Sequence, residues 1–144
     1  MGAVLFDMDG TLIDSEPLWQ RTEAKIVASF GKVWTKEDGD TLTGHSLFDS
    51  ASLMIELKNL PLAPEKGVEM MVANMHELYA GEGVPWIPGA RELLSELASA
   101  GIPTALVSAS YEILVHDVCA NAPKGSLEAV SYTHLRAHET LRYL

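Results

Sequence analysis

The sequence predicts an α/β fold, a doubly wound parallel sheet with a helical cap inserted after its first strand. Short apolar runs at residues 3–6 and 103–108 are typical of parallel strands, which helices cover on both faces. Between these runs, residues 15 to about 84 show helical patterning throughout. The resulting order is strand, helical insert, helix, strand, helix, strand, and it indicates a doubly wound core with an inserted cap.

The core is predicted to comprise residues 1–14 and 85–129. Residues 90–100 have the spacing of an amphipathic helix, residues 111–120 form a second helix, and a further strand begins at Leu127. Three leucines of the first helix are expected to face inward: Leu93, Leu94 and Leu97. Together these elements provide the alternating helices and strands of the parallel sheet.

Three helices are predicted in the cap, residues 15–84. The first begins at Ser15 or Glu16, the second is capped by Ser46, and residues 33–43 between them are less regular. The third carries its apolar side chains three and four residues apart, at Val68, Met71, Val72, Met75, Leu78 and Tyr79. The methionines of this helix are interpreted as core residues, because thioethers fill irregular apolar space well.

Composition restricts the classes of partner. The chain has 144 residues with 47% hydrophobic and 21% charged side chains, enough for a single core. Its net charge of −10 disfavours nucleic acids and anionic membranes as partners. The one cysteine, Cys119, fits a reducing compartment, and the N-terminus lacks the pattern of a secretion signal. We therefore expect a cytoplasmic monomer that binds a small molecule.

Two carboxylates at the end of the first strand are the strongest chemical signal. Asp7 and Asp9 are two residues apart, so in an extended strand they point to the same side. Carboxylate oxygens in such a pair suit Mg²⁺. An Asp-x-Asp-Gly run is also compatible with an ordinary turn. A calcium loop is less compatible, because residues 11–13 become apolar where such a loop needs more oxygen ligands.

The segment around these carboxylates resembles the first motif of a known superfamily. Residues 6–12, FDMDGTL, followed by DSEP at 14–17, are similar to the haloacid dehalogenase (HAD) superfamily. The closest resemblance is to its β-phosphoglucomutase-like and 2-deoxyglucose-6-phosphatase-like branch, and it extends over about residues 3–129. The resemblance implies a Rossmann-like core with a helical cap. It also implies a Mg²⁺-dependent phosphatase that acts on a small phosphorylated metabolite through an aspartyl-phosphate.

The resemblance also implies roles for individual residues. Asp7 would be the nucleophile, and Asp9 the general acid and base. Mg²⁺ would be held by the Asp7 carboxylate and the Asp9 backbone carbonyl. Ser108, at the end of the second core strand, and the N–H group of Ala109 would bind the transferring phosphate. From the residues alone, Ser108 could instead be an ordinary helix N-cap, a position that Ser110 could fill equally well.

A cap loop is the candidate for substrate recognition. Residues 42–46 match a loop that reaches towards the active site in the resembled family. Gly44 and His45 are therefore candidate substrate-binding residues. The alternative is that His45 lies on a surface loop without contact to substrate.

The C-terminal residues 130–144 differ from the rest of the chain. Their sequence, VSYTHLRAHETLRYL, resembles one reading frame of a transposase sequencing-library adapter. We therefore expect a non-native tail that truncates the core after Ala129. The resembled family has a phosphate-binding lysine and further acidic metal ligands after this point, and no residue of the tail matches them. Lys124 lies in a Pro-Lys-Gly turn before the strand and is not assigned to that role.

Three functions follow from these observations. The first is the Mg²⁺-dependent phosphatase, and the second is a phosphomutase that uses the same residues but transfers the phosphoryl group to a sugar. The third is that the 144-residue chain itself is an inactive fragment, because the lysine and the acidic ligands are missing.

Overall fold

The computed structural model describes residues 2–132. The elements follow in the order β1 (Val4–Phe6), α1 (Glu16–Ser29), α2 (Lys36–Asp40), α3 (Leu47–Lys58), α4 (Pro64–Glu82), α5 (Ala90–Ser99), β2 (Thr104–Ser108), α6 (Glu112–Ala120) and β3 (Ala129–Tyr132). The described residues form two compact units, a helical unit of Glu16–Leu78 and an α/β unit that contains the chain up to Ser15 and from Tyr79. The predicted tail lies outside the described residues from residue 133 onward.

The sheet of the α/β unit is parallel and has the order β1-β2-β3. In β1, Phe6 is level with Leu106 of β2, and Ser108 at the end of β2 is level with Tyr132 of β3. The crossover between β2 and β3 contains α6, as parallel neighbours require. The predicted α/β fold class with a parallel sheet is confirmed.

The two faces of this sheet differ in burial. Thr104, Leu106 and Ser108 alternate along β2 on one face and are at most 2% exposed. On the other face Leu5 is 67% exposed and Val107 is 39% exposed. Among residues 2–132, this sheet therefore buries one face more completely than the other, whereas the apolar runs had predicted burial on both faces.

In helix α5, only one of the two adjacent leucines at positions 93 and 94 is buried. Ala90 and Leu94 lie one turn apart and are buried, Leu94 completely, while Leu93 is 46% exposed. Neighbouring residues on an α-helix point about 100° apart, so Leu93 and Leu94 do not share a face. The prediction that Leu93 faces inward is therefore wrong.

Replacing Leu94 by alanine is expected to lower the free energy of unfolding by about 3 kcal/mol, because the lost side chain is fully enclosed. The matched control is Leu93→Ala on the same helix, which removes the same atoms from an exposed position and should cost well under half as much. Urea denaturation followed by circular dichroism measures both. Equal losses would contradict the assignment of the buried face.

Strand β3 begins two residues later than predicted, for a reason visible at Leu127. This residue has φ 51, outside the extended region, and its N–H donates to Thr104 Oγ1 at 2.7 Å. The N–H of Glu128 then donates to the Thr104 carbonyl at 3.1 Å. The buried Thr104 thus fixes the entry to β3, and regular pairing begins at Ala129.

The helical unit contains one helix that the sequence analysis missed. Helix α2 lies in the segment described as less regular and begins with a capping box, in which Asp38 N–H donates to Thr35 Oγ1 and Thr35 N–H donates to the Asp38 carboxylate. The spacing Thr-x-x-Asp could have identified it. The predicted cap at Ser46 is confirmed, since its Oγ accepts the Asp49 N–H at 3.1 Å.

The core of the helical unit is aliphatic and rich in methionine. Its most deeply buried side chains are Ile26, Val27, Ala51, Met54, Met71 and Met75, each at most 1% exposed. The interpretation of Met71 and Met75 in α4 as core residues is therefore confirmed. Among the residues that the structure describes, no helix has the length and apolarity needed to cross a membrane.

Candidate functional site

The segment after β1 folds into a tight turn. The carbonyl of Met8 accepts N–H groups from Thr11, Leu12 and Ile13 at 2.9–3.2 Å, and Gly10 N–H donates to Ile13 O at 2.8 Å. Gly10 has φ +77, a backbone conformation that side chains with a Cβ rarely adopt. The turn interpretation is therefore correct as geometry, and it positions two carboxylates at the carboxyl end of the strand.

This turn is anchored by buried side chains and by a second segment of the same unit. Met8 and Ile13 are fully buried. Ile13 forms an antiparallel bridge with Trp86, and the Ile87 N–H donates to the Leu12 carbonyl at 2.8 Å. Because its backbone is fixed in this way, the carboxylates it carries have little freedom to move with the loop.

Asp7 is the exposed carboxylate of the pair. It directly follows Phe6, the last residue of β1, and its Oδ1 accepts the N–H of Met8 at 2.8 Å. This bond orients the carboxylate, while the exposure of the side chain leaves it open to a reacting partner. Such a placement at a strand end is where open α/β sheets bind their ligands.

Each carboxylate oxygen of Asp9 accepts a hydrogen bond from a serine hydroxyl. Oδ1 accepts the Ser15 hydroxyl at 2.5 Å, and Oδ2 accepts the hydroxyl of Ser110. Ser15 is only 3% exposed. Sequence reasoning considered Ser15 and Ser110 only as helix caps and missed both as partners of Asp9. The sequence did contain a signal for these partners. Ser15 lies in the same loop as Asp9, and Ser110 follows the neighbouring strand.

Ser108 lies where it was predicted, at the end of β2, and is 1% exposed. Its Oγ accepts the N–H of Ser110 at 3.0 Å. The N-cap of α6 is Tyr111, so the alternative that Ser108 or Ser110 caps this helix is wrong. Ala109 is exposed between the two serines. Ser110 therefore links Asp9 to Ser108 and joins the ends of β1 and β2.

Gly44 and His45 belong to the helical unit and are not part of this hydrogen-bonded group. Gly44 has φ 84, and the His45 N–H donates to the Leu42 carbonyl at 3.1 Å. Both residues are exposed in the loop that precedes α3. Their predicted contact with a substrate stays a prediction.

The donor atoms at the β1 end fit the preference of Mg²⁺ for oxygen. The Asp7 carboxylate is exposed, and Mg²⁺ prefers such oxygen ligands and keeps several waters. Within residues 2–132, no group of three or more His, Cys, Asp or Glu side chains is arranged to hold a metal. The roles of the Asp7 carboxylate and the Asp9 carbonyl as metal ligands stay predictions.

Tyr79 is a further residue near Asp9 that sequence reasoning placed only on an apolar helix face. It is 3% exposed, and within the described part of the chain its hydroxyl makes no hydrogen bond. Burial raises the pKa of Tyr79, and the charges of Asp9 and Asp117 raise it further. The phenol is therefore neutral beside the carboxylate site.

An open groove of about 870 Å³ lies away from these residues. Its lining runs along the length of α5, from Arg91 and Glu92 to Ser99, and includes Pro123. None of the serines and carboxylates described above lines this groove, so the groove is not part of that site.

Comparison with known proteins identifies a family. The family model for haloacid dehalogenase-like hydrolase matches residues 1–136. Hexitol phosphatase B of Escherichia coli K12 is 36% identical over 118 residues, which cover 75% of this chain and 49% of that protein. Phosphorylated carbohydrates phosphatase of Thermotoga maritima is 27% identical over 110 residues, covering 76% of this chain and 50% of that protein. The chain thus spans about half the length of these curated relatives.

Solved structures share the fold. CbbY from Rhodobacter sphaeroides in complex with phosphate has a TM-score of 0.77 at 23% identity, covering 95% of this chain and 65% of that one. β-Phosphoglucomutase from Clostridium difficile has a TM-score of 0.67 at 19% identity, covering 95% and 64%. Because the family model matches nearly the whole sequence, the chain belongs to the haloacid dehalogenase-like hydrolases.

Proposed function

We propose that the protein carrying this chain is a Mg²⁺-dependent phosphatase of a small phosphorylated metabolite, with an aspartyl-phosphate intermediate. The observation that carries the proposal is the group of Asp7, Asp9 and Ser108 at the carboxyl ends of two adjacent parallel strands. Family membership supports it, as do the relatives named as phosphatases of hexitols and of phosphorylated carbohydrates.

In the first step, an oxygen of the exposed Asp7 carboxylate attacks phosphorus. The new O–P bond forms as the bond from phosphorus to the leaving oxygen breaks, and the leaving oxygen takes that electron pair. A proton from the Asp9 carboxyl group neutralises the leaving oxygen, which departs as an alcohol. Asp9 is then a carboxylate, the form in which both of its oxygens accept serine hydroxyls.

In the second step, water replaces Asp7. The water oxygen attacks phosphorus, the bond to the Asp7 oxygen breaks, and the electron pair returns to the Asp7 carboxylate. Asp9 accepts the proton that the water loses, which restores both carboxyl groups and releases inorganic phosphate. Ser108 and the N–H of Ala109 are proposed to donate hydrogen bonds to the oxygens of the transferring group.

Mg²⁺, when bound by the Asp7 carboxylate and the Asp9 carbonyl, would offset the repulsion between a negatively charged nucleophile and a phosphate. The net charge of −10 makes such compensation necessary for an anionic substrate. We propose a cytoplasmic monomer without nucleic-acid or membrane partners, and Gly44 and His45 as contacts to the part of the substrate that is not transferred.

A phosphomutase is the second candidate. The fold that this chain shares with β-phosphoglucomutase favours this candidate. The residues and the first step would be the same, but a sugar hydroxyl would replace water in the second step. Incubation with a hexose 1-phosphate distinguishes the two, since a mutase produces the 6-phosphate isomer and a phosphatase produces free sugar and phosphate.

The 144-residue chain by itself is proposed to be inactive, because among its residues nothing matches the lysine and the later acidic ligands of the resembled family. Residues 15–84 are proposed as the cap, and residues 130–144 as a non-native tail. Reading the gene through residue 129 in source DNA tests the tail, and an uninterrupted genomic SYTHLRAHET would refute it.

Phosphate release by the full-length protein is expected to depend on Mg²⁺. Removing the ion with EDTA should lower the rate by on the order of 10²-fold or more, because two negative groups then meet without compensation. Malachite-green detection of phosphate across a panel of sugar and polyol phosphates measures the rate. Restoration by Mg²⁺ but not by Na⁺ at equal ionic strength is the control, and full activity in EDTA would refute the metal requirement.

A further inference from the structure

We propose that Ser110 is a positioning residue for phosphoryl transfer, whose hydroxyl holds the Asp9 carboxylate at Oδ2 in the orientation for proton exchange. The inference rests on the proposed function, in which Asp9 is the general acid and base. It assigns Ser110 a role through Asp9 and no contact with the transferring group.

Ser110 is held in place by its backbone and bonds to Asp9 through its side chain. Its backbone N–H donates to the Oγ of Ser108 at 3.0 Å, and Ser108 is buried at the end of β2. Its side chain reaches Asp9, which is 101 residues away in sequence. The bond therefore ties the loop after β2 to the loop after β1, and the position of one loop sets the direction of the carboxylate in the other.

The two serines on Asp9 differ in what they can do. Ser15 belongs to the same loop as Asp9 and is buried, so its bond at 2.5 Å is a local and enclosed contact. Ser110 is partly exposed, and its hydroxyl faces the neighbouring strand end. Of the two, Ser110 is the partner that connects Asp9 to the end of the neighbouring strand.

A hydroxyl suits both protonation states of Asp9. A serine O–H donates to a carboxylate ion, and after rotation its oxygen accepts from a protonated carboxyl group. Asp9 alternates between these two states in the proposed mechanism, and Ser110 can hold it in each. Alanine can hold neither state, whereas threonine retains the hydroxyl.

The first test measures kcat/KM of the full-length protein with two substrates, an alkyl phosphate that it hydrolyses and p-nitrophenyl phosphate. Only the alkyl leaving group needs a proton, since nitrophenolate is stable as an anion. Ser110→Ala is expected to lower kcat/KM for the alkyl phosphate by about 10- to 100-fold, the scale of a lost hydrogen bond to a charged group. The loss with p-nitrophenyl phosphate should be several-fold smaller, with KM little changed.

Matched variants separate positioning from a structural effect. Ser110→Thr should recover most of the rate, and Ser110→Cys, a weaker donor of similar size, should lie between alanine and serine. Ser126→Ala removes a serine hydroxyl from another loop of the same unit, where it bonds to the Pro123 carbonyl, and should leave both rates unchanged. Equal losses with the two substrates, or no recovery by threonine, would overturn the proposal.

The second test needs no turnover and uses the 144-residue chain. NMR couplings to the β-protons of Asp9 report its χ1 angle, which is expected to be a single rotamer with serine or threonine at position 110 and averaged with alanine. An unchanged rotamer in Ser110→Ala would refute positioning even if the full-length protein is active. Absence of turnover in the unmodified protein would count against the proposed function and leave the NMR result to decide on Ser110.

Discussion

Asp7→Asn in the full-length protein is expected to lower phosphate release by roughly 10⁴-fold or more, the scale on which loss of a nucleophile slows other enzymes. An amide oxygen carries no full negative charge and cannot form the phosphorylated intermediate. The substitution changes the shape of the side chain very little, and the amide oxygen can still accept the Met8 N–H that orients Asp7. Folding should therefore be unaffected.

Two measurements make this expectation specific. Acid-quenched unmodified protein should carry one phosphoryl group on the peptide that contains Asp7, and mass spectrometry of the variant should show none. Glu92→Gln, which removes the same charge from an exposed position on α5, is the control and should retain full activity. Mg²⁺-dependent release that persists in Asp7→Asn would exclude Asp7 as the nucleophile.

The position of the candidate site residues at the strand ends could be predicted, because it depends on residue type and alternation. Asp7 and Asp9 follow an apolar run, and Ser108 ends another, so the parallel topology alone places them at one edge of the sheet. The predicted fold class is confirmed by the parallel sheet, and the predicted family by the family model. The assignments of nucleophile, acid and phosphate ligand stay predictions for the experiments above.

The hydroxyl partners of Asp9 could not be predicted, for a physical reason. A serine near a helix start can cap the helix or bond to any acceptor within reach, and the choice depends on distances set by the tertiary structure. Ser110 faces Asp9 only because β1 and β2 are neighbours in a definite register. Leu127, whose positive φ precedes β3, likewise donates its N–H to Thr104 on another strand, a contact that depends on the tertiary structure. Helix α2, in contrast, had a readable capping box.

The helical unit contains a carboxyl group whose burial predicts a pH-dependent stability. Glu23 in α1 is 4% exposed, and its Oε2 accepts the indole N–H of Trp34 at 3.1 Å. A Cβ added to Gly39 would lie 3.4 Å from that same oxygen, so the backbone of α2 closes over the contact. Lys58 is near the indole but forms an ion pair with Asp38 at 2.6 Å.

This environment favours the neutral form of Glu23. Burial raises the pKa of Glu23 from 4.5 to about 7; the Trp34 hydrogen bond opposes the shift, and the charge of Glu16 adds to it. A group whose pKa is higher in the folded state stabilises the fold below its unfolded pKa. That stabilisation is lost as the pH rises through the folded pKa. The difference between 4.5 and about 7 corresponds to about 3 kcal/mol.

Glu23→Gln should therefore become progressively more stabilising, relative to the unmodified protein, as the pH rises. Between about pH 5.5 and about pH 8, the free energy of unfolding of the variant relative to the unmodified protein is expected to increase by about 2 kcal/mol. Any effect of the amide on packing is the same at both pH values and cancels in this comparison. The Gln oxygen can still accept the Trp34 N–H.

Urea denaturation followed by tryptophan fluorescence at the two pH values measures this change. Glu56→Gln, at an exposed position on α3, is the matched control, and its difference from the unmodified protein should be nearly independent of pH. If Glu23→Gln behaves like this control, the pKa of Glu23 in the folded protein is close to that of an exposed glutamate. The side chain would then be enclosed less tightly by Trp34 and Gly39 than the distances indicate. If it shows the expected increase, a buried neutral carboxyl group limits the stability of the helical unit above about pH 7, because its ionisation cannot be compensated by the paired Lys58.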